Sequence, residues 1–212
     1  MRDCLVDIAT LAQVDLSSSP EAYHEAMRAA YWEDKDLAGA IAIAFAGISR
    51  LLAEARHGSA QDAGARRSSA KALTYDLASF TWPGWDEPGI IVTPPEMRAG
   101  YAAARANLAM AEELDKGDVP LSRAYWMLGA HELASGHYDE ARTSFARAAE
   151  TADRGGEATE AELARCYGLL AGIAVGAPAD PDLNQALASL EATTGGSKLV
   201  AQVTTARSVF EL

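Results

Sequence analysis

Apolar positions along this chain recur every three to four residues in one segment after another, and alternating runs that would read as strands are scarce. Leu5, Ile8, Leu11 and Ala12 predict a short leading helix over about 3–14. Ser19-Pro20 then pairs a capping serine with proline at a first helical position, so a new helix begins there and runs to about Trp32 with Tyr23, Met27, Ala30 and Tyr31 inward. After the turn Asp34-Lys35-Asp36, a helix from Leu37 to about His57 places Ala40, Ile41, Ala44, Phe45, Ile48 and Leu51 or Leu52 on one face. Residues 58–69 are small, polar and locally basic, which reads as a loop or a frayed helix entry.

The helical period returns at Ala70–Phe80 with Leu73, Leu77 and Phe80 on one side, and stops at Trp82-Pro83-Gly84-Trp85-Asp86-Glu87-Pro88-Gly89. A further helix is expected from Glu96 to about Leu114, burying Met97, Tyr101, Ala104, Leu108 and Ala111. Lys116-Gly117-Asp118-Val119-Pro120 punctuates the chain before a helical pair spanning about Tyr125 to Asp153. Beyond Gly155-Gly156, residues 157–174 carry the stripe Leu163, Cys166, Leu169, Leu170, Ile173, and after the break at Pro178 to Pro181 the segments Leu183–Leu190 and Leu199–Phe210 supply closing helices. The pattern predicts an all-α protein of roughly seven to ten helices, 212 residues in one domain, interrupted by an irregular aromatic loop at about 81–95.

Within the clear pair the order is a large residue, Leu128-Gly129, the turn Gly136-His137-Tyr138, then Ala141, Phe145 and Ala148. This resembles a tetratricopeptide repeat, in which two antiparallel helices touch at small residues and large ones fill the volume around the contact. The resemblance implies a right-handed stack of helix pairs. It departs at Glu132, where the family has an aromatic residue, and at Asp153, where it has proline. Overlaying 20–57 on the clear pair sets Ala40 against Ala141, Leu37 against Tyr138 and Met27 against Leu128, close to three repeats of about 34 residues apart. Family members that clamp a C-terminal carboxylate use a basic and amide cluster on their first helices. At the corresponding positions stand Trp126 and Ala130, and Glu25 and Ala29, so that clamp is missing.

Charge narrows the partners. The net charge is -12 and the pI about 4.7, and the basic residues form no stripe, which disfavours nucleic acid and anionic membrane. Two cysteines without metal-ligand spacing, Cys4 and Cys166, indicate no disulfide framework and a reducing compartment. Aspartates interrupt the apolar N-terminus, and no later apolar run looks long enough to span a membrane, so a cytoplasmic protein is expected.

The sequence offers no catalytic residue, cofactor motif or metal site. His131-Glu132 lacks the second histidine four residues on that zinc would require, and His137 lies past the turn. His24 and His57 are isolated in sequence. Arg98, Arg105, Arg123, Arg142 and Arg147 stay unsorted between groove and surface. Two tryptophans on a Pro-Gly turn beside two carboxylates make Trp82, Trp85, Asp86 and Glu87 the candidate contact residues, with His131 as a groove residue. The expected function is non-catalytic binding of a protein or peptide partner through a concave groove and this loop. The alternatives are a small-ligand sensor or enzyme with a pocket at 82–87, where a small cation would suit the tryptophan faces and the acids, and a self-associating adaptor. Against all three stands a packing role in which the tryptophans plug the space between helices.

Overall fold

The structure is a computed structural model that describes residues 19–176 and 180–212. The expected leading helix, Cys4 and the break at Pro178 lie outside those residues. Among the described residues all regular structure is helical, with nine α-helices and no strand. They form two compact units, one of residues 19–81 and 88–114, the other of residues 82–87, 115–176 and 180–212.

In the first unit, α1 (Pro20–Trp32) begins where sequence reasoning put it, with Tyr23, Met27, Ala30 and Tyr31 buried. Lys35, in the left-handed region at φ 54°, turns the chain, and the Asp36 carboxylate accepts the Gly39 N–H at 2.8 Å to start α2 (Leu37–His57). Helix α2 is rotated from the expected face. Phe45 is 48% exposed, while Ile43 and Gly47 are buried. The cause is Gly47: a Cβ there would lie 2.9 Å from the Tyr23 ring and 2.8 Å from Leu73 Cδ1, so these side chains pack directly on the glycine backbone. Turning Gly47 and Ile43 inward carries Phe45 away at 100° per residue.

Helix α2 also corrects the expectation that no apolar run could span a membrane. The helix has 21 residues, of which an 18-residue window reaches a mean hydropathy of 1.6, and it suffices by length and composition. It packs against α1 and against α3 (Ala60–Phe80).

Helix α3 replaces the expected loop over 58–69. Ser59 caps it, with the Asp62 N–H donating to Ser59 Oγ at 3.2 Å and the Ser59 hydroxyl to the Asp62 carboxylate at 2.6 Å. Its first turns are held by charge: Arg66 pairs with Glu54 at 3.1 Å and Arg67 with Glu113. Helix α4 (Pro94–Glu113) opens with a capping box in which the Thr93 N–H donates to Glu96 at 2.7 Å. Ala104 and Ala111 are buried as expected, but Met97, Tyr101 and Leu108 are half-buried, and Asn107 occupies the buried face instead. Asn107 donates Nδ2–H to the Lys71 carbonyl at 2.7 Å and to Thr74 Oγ1 at 3.3 Å, tying α4 to α3.

The second unit is more regular. Helices α5 (Asp118–Ala134), α6 (Tyr138–Arg154) and α7 (Ala158–Ala174) each have 17 residues, and their starts are twenty residues apart. Each ends on a glycine in the left-handed region, Gly136, Gly156 and Gly176, at φ 77°, 78° and 83°. The His137 N–H reaches back to the Glu132 carbonyl and the Glu157 N–H to the Ala152 carbonyl, both at 2.9 Å, which closes the turns in three residues. A helix pair therefore takes forty residues, against about 34 in the tetratricopeptide pattern. The chain continues through α8 (Asp180–Glu191) and α9 (Gly196–Val209), where Leu183, Leu190, Val203 and Ala206 are buried.

Of the repeat positions, Gly129, Ala141, Phe145 and Ala148 are buried, whereas Leu128 and Tyr138 are half-buried and Met127 takes the inner place beside Leu128. The contact on Gly129 is a ring. A Cβ at Gly129 would meet Phe145 ring atoms at 3.0 Å, and one at Gly168, on α7, would meet Phe145 Cβ at 3.7 Å. Phe145 thus lies between two glycines with opposite tolerances. Gly168→Ala should stabilise by roughly 0.5–1 kcal/mol through helix propensity, whereas Gly129→Ala should lose that gain to the ring contact and destabilise by about 1 kcal/mol or more. Denaturant melts of the two variants check the contrast, and equal effects would contradict this packing. Beside Gly168, burial pushes the Cys166 thiol up to about 11, so at neutral pH it is a packed thiol rather than a thiolate.

Candidate functional site

The aromatic loop belongs to the second unit and is folded onto it. Pro83–Trp85 form a 3-10 turn, followed by Asp86 at φ 49°, whose N–H donates to the Pro83 carbonyl at 3.1 Å. Trp82 is 1% exposed. Its indole N–H donates to the Ala130 carbonyl of α5 at 2.9 Å. Its ring meets Trp85 edge-on at a centroid distance of 4.7 Å, and Trp126, Tyr167 and Phe210 at 5.6, 5.9 and 6.1 Å. The absence of a Cβ at Gly84 lets the turn close directly over the Trp82 ring.

These facts separate the four loop candidates. Trp82 has its polar atom satisfied and its faces covered, as the packing role requires. Trp85 is half-buried and lies 6.0 Å from Trp126 at an interplanar angle of 30°. Asp86 is exposed and Glu87 half-buried. His131, expected at the surface or in a groove, is instead fully buried on α5 among Met127, Ala130 and Leu133 as fellow buried residues of that helix, with Glu132 also buried beside it. The local sequence could not show this, because α5 is enclosed on most of its circumference: ten of its residues from Ser122 to Leu133 are buried, so no polar face remains for the histidine.

The arginines sort as well. Arg123 pairs with Glu160, Nε at 2.8 Å, and ties α5 to α7. Arg142 and Arg147 line an open groove of about 850 Å³ along α6, α7 and α8, together with Arg165. Its floor is apolar and mostly small: Ala146, Ala149, Ala164, Gly168, Leu169 and Ala186, with Phe145 beneath. Gly168 and Ala186 were not recognisable from sequence as lining residues, since neither carries a distinctive side chain; the signal is only that α6 is strongly amphipathic with three alanines at 146, 148 and 149.

Charge in the groove is mixed. Asp139 lies 3.6 Å from Arg142, and Glu150 turns to Arg154 at 3.4 Å. Arg165 is shared between Asp153 and Glu162. Arg147 places its guanidinium 5.6 Å from the Tyr125 ring centroid. The lining itself carries three arginines and two acids, but the helices that bear it, α6, α7 and α8, carry four arginines and nine acids, so the groove lies on an acidic surface.

In the first unit, His24 Nδ1 lies 3.0 Å from Asp76 Oδ2, so the histidine isolated in sequence has a partner in space. Among the described residues, no group of three or more His, Cys, Asp or Glu is arranged to hold a metal ion. No protein-family model, curated protein or solved structure matches the chain.

Proposed function

We propose that this chain is a non-catalytic, cytoplasmic binding module that holds a segment of a protein partner in the groove along α6, α7 and α8. The observation that carries the reading is the groove itself: an open channel with an apolar floor of small residues and a rim of long polar side chains. Small floor residues let a partner backbone approach closely, and a polar rim sets its register. Equal helices joined by three-residue turns, with a Leu-Gly and Ala pattern at their contacts, favour a tetratricopeptide-like solenoid, although the forty-residue pair is longer than that family's.

The loop enters this reading as support for the fold, because Trp82 offers a ligand neither a free face nor a free N–H. A small-cation pocket at 82–87 would have to rely on Trp85, Asp86 and Glu87 alone.

Gly168→Leu tests the proposal. A Cβ there would meet Phe145 Cβ at an ordinary 3.7 Å, and a Gly168→Leu protein shown by its melt to be folded should lose the partners captured by the wild-type protein. Capture unchanged in a folded Gly168→Leu protein would place the contact surface elsewhere.

A further inference from the structure

We infer that the chain's own residues 3–14, which lie outside the described ones, cover the open side of the first helix pair as an amphipathic helix laid across α1 and α2. The contact belongs to the first unit and is independent of the groove proposed above.

Three observations carry it. First, α2 has two apolar stripes, and its packing on α1 and α3 uses one. Leu37, Ala40, Ala44, Gly47 and Leu51 are buried, whereas Ile41, Ile48 and Leu52 are half-buried and Phe45 is 48% exposed. A helix apolar around most of its circumference is ordinarily enclosed, and the described helices that pack on α2 are α1 and α3.

Second, the unused stripe is turned away from α3. Glu54 of α2 pairs with Arg66 of α3, and at 100° per residue positions 41, 45, 48 and 52 lie about 120–180° round the helix from Glu54. On α1, His24 meets Asp76 of α3, and the half-buried Ala22, Ala26 and Ala29 lie about 140–160° round from His24. Both helices therefore turn an apolar strip to the same open side, large residues on α2 and small ones on α1. A third helix fits between them, and a stack of helix pairs needs its open end covered.

Third, the chain leads into that side. The turn at Lys35 makes α1 and α2 antiparallel, so Pro20 stands beside the C-terminal half of α2, near where Tyr23 meets Gly47. Residues 15–19 separate Pro20 from the helix predicted over 3–14, and extended they reach roughly 16 Å, beyond the spacing of about 8–10 Å between packed helices. A helix of twelve residues is about 18 Å long, against about 17 Å from Ile41 to Leu52. Leu5, Ile8, Leu11 and Ala12 give the segment an apolar face, while Asp3, Asp7 and Thr10 fall on the opposite side, the polar outer face that a cap requires. A helix this short is marginal in water without a partner. Followed back from Pro20, it runs parallel to α2, with Leu11 and Ala12 toward Leu52 and Cys4 toward Ala38.

The test uses the full chain with its own Cys4 and one cysteine introduced at an exposed position of α2, Ala38→Cys at one end or Ala53→Cys about 22 Å along the helix at the other. Burial and its raised thiol keep Cys166 out of the reaction at neutral pH. With a short bismaleimide, the cross-link within one chain should form about tenfold faster or more in Ala38→Cys than in Ala53→Cys, as docking sets the effective concentration. Ile8→Asp should remove that preference, and Thr10→Asp, on the outer side of the segment, should keep it; circular dichroism confirms that each variant folds. A tethered but undocked segment would reach the end nearer Pro20 at least as easily, so equal rates or a faster reaction at Ala53→Cys would overturn the inference. A preference that survives Ile8→Asp, or that Thr10→Asp also removes, would do the same. Cross-links that join two chains, seen as a covalent dimer, would give the face to a second copy and overturn it as well.

Discussion

Trp82→Ala should lower the stability of the second unit by about 3–5 kcal/mol, the range for removing a large aromatic side chain from a closed core. The side chain is 1% exposed, its N–H is bonded to the Ala130 carbonyl, and four aromatic rings from four parts of the unit have centroids within 6.1 Å of its own. Its removal leaves a cavity bordered by Trp85, Trp126, Tyr167 and Phe210, large rings that cannot collapse into it without leaving their own contacts. Trp82→Phe separates the terms: it keeps most of the ring and loses the hydrogen bond, and should cost much less than alanine. Three of the four tryptophans belong to this unit, so the shift in intrinsic fluorescence during denaturation follows it. A Trp82→Ala protein that melts like wild type would mean that the loop does not dock as described.

Phe145→Ala should have a comparable effect, again about 3–5 kcal/mol, and toward the upper end. The ring is fully buried and stacks on Tyr167 at a centroid distance of 5.4 Å. Glycines on both sides, Gly129 and Gly168, provide no side chain to fill the space it vacates. The same geometry predicts a sign reversal. In the Phe145→Ala background, Gly129→Ala should no longer destabilise, because the ring it would strike is gone, and helix propensity should then make it favourable. A double-mutant cycle measures this coupling, expected at about 1–2 kcal/mol. Additive effects would show that Gly129 and Phe145 do not share a contact.

Helix placement was legible in the sequence wherever a turn signal and the apolar period agreed, as at Pro20, Asp36 and the Gly136 turn, although the Ser19 side chain makes no capping hydrogen bond. It failed over 58–69, where Gly64, Ser68 and Ser69 dilute the period and the helix is held by Ser59 and by arginine pairs to Glu54 and Glu113. Those partners lie on other helices, so no local window contains them. The rotation of α2 was hidden for a related reason: an apolar helix has several plausible inner faces, and the choice was made by where Tyr23 and Leu73 meet a glycine. For the loop, composition pointed to Trp82 and Trp85 as a pair but could not divide them, since burial of Trp82 depends on a carbonyl in α5 forty-eight residues away. The groove was the least legible feature. Arg142 and Arg147 were two of five arginines that charge alone could not sort, and alanine and glycine at a floor look the same in sequence as alanine and glycine in a core.

The three 17-residue helices of the second unit are rods of about 25 Å, cut to one length and joined by one kind of hinge. Such a layout sets a rule for change. Adding one residue inside a rod turns everything after it by 100° and takes the apolar stripe off its neighbour, whereas adding a rod and its hinge, twenty residues, returns the stripe to register but reverses the direction of the chain. Only the forty-residue couplet restores both. Length variation in this part of the protein should therefore come in steps of forty or be confined to the hinges, and a tandem copy of 118–157 inserted after Glu157 is the extension that keeps every hinge at three residues.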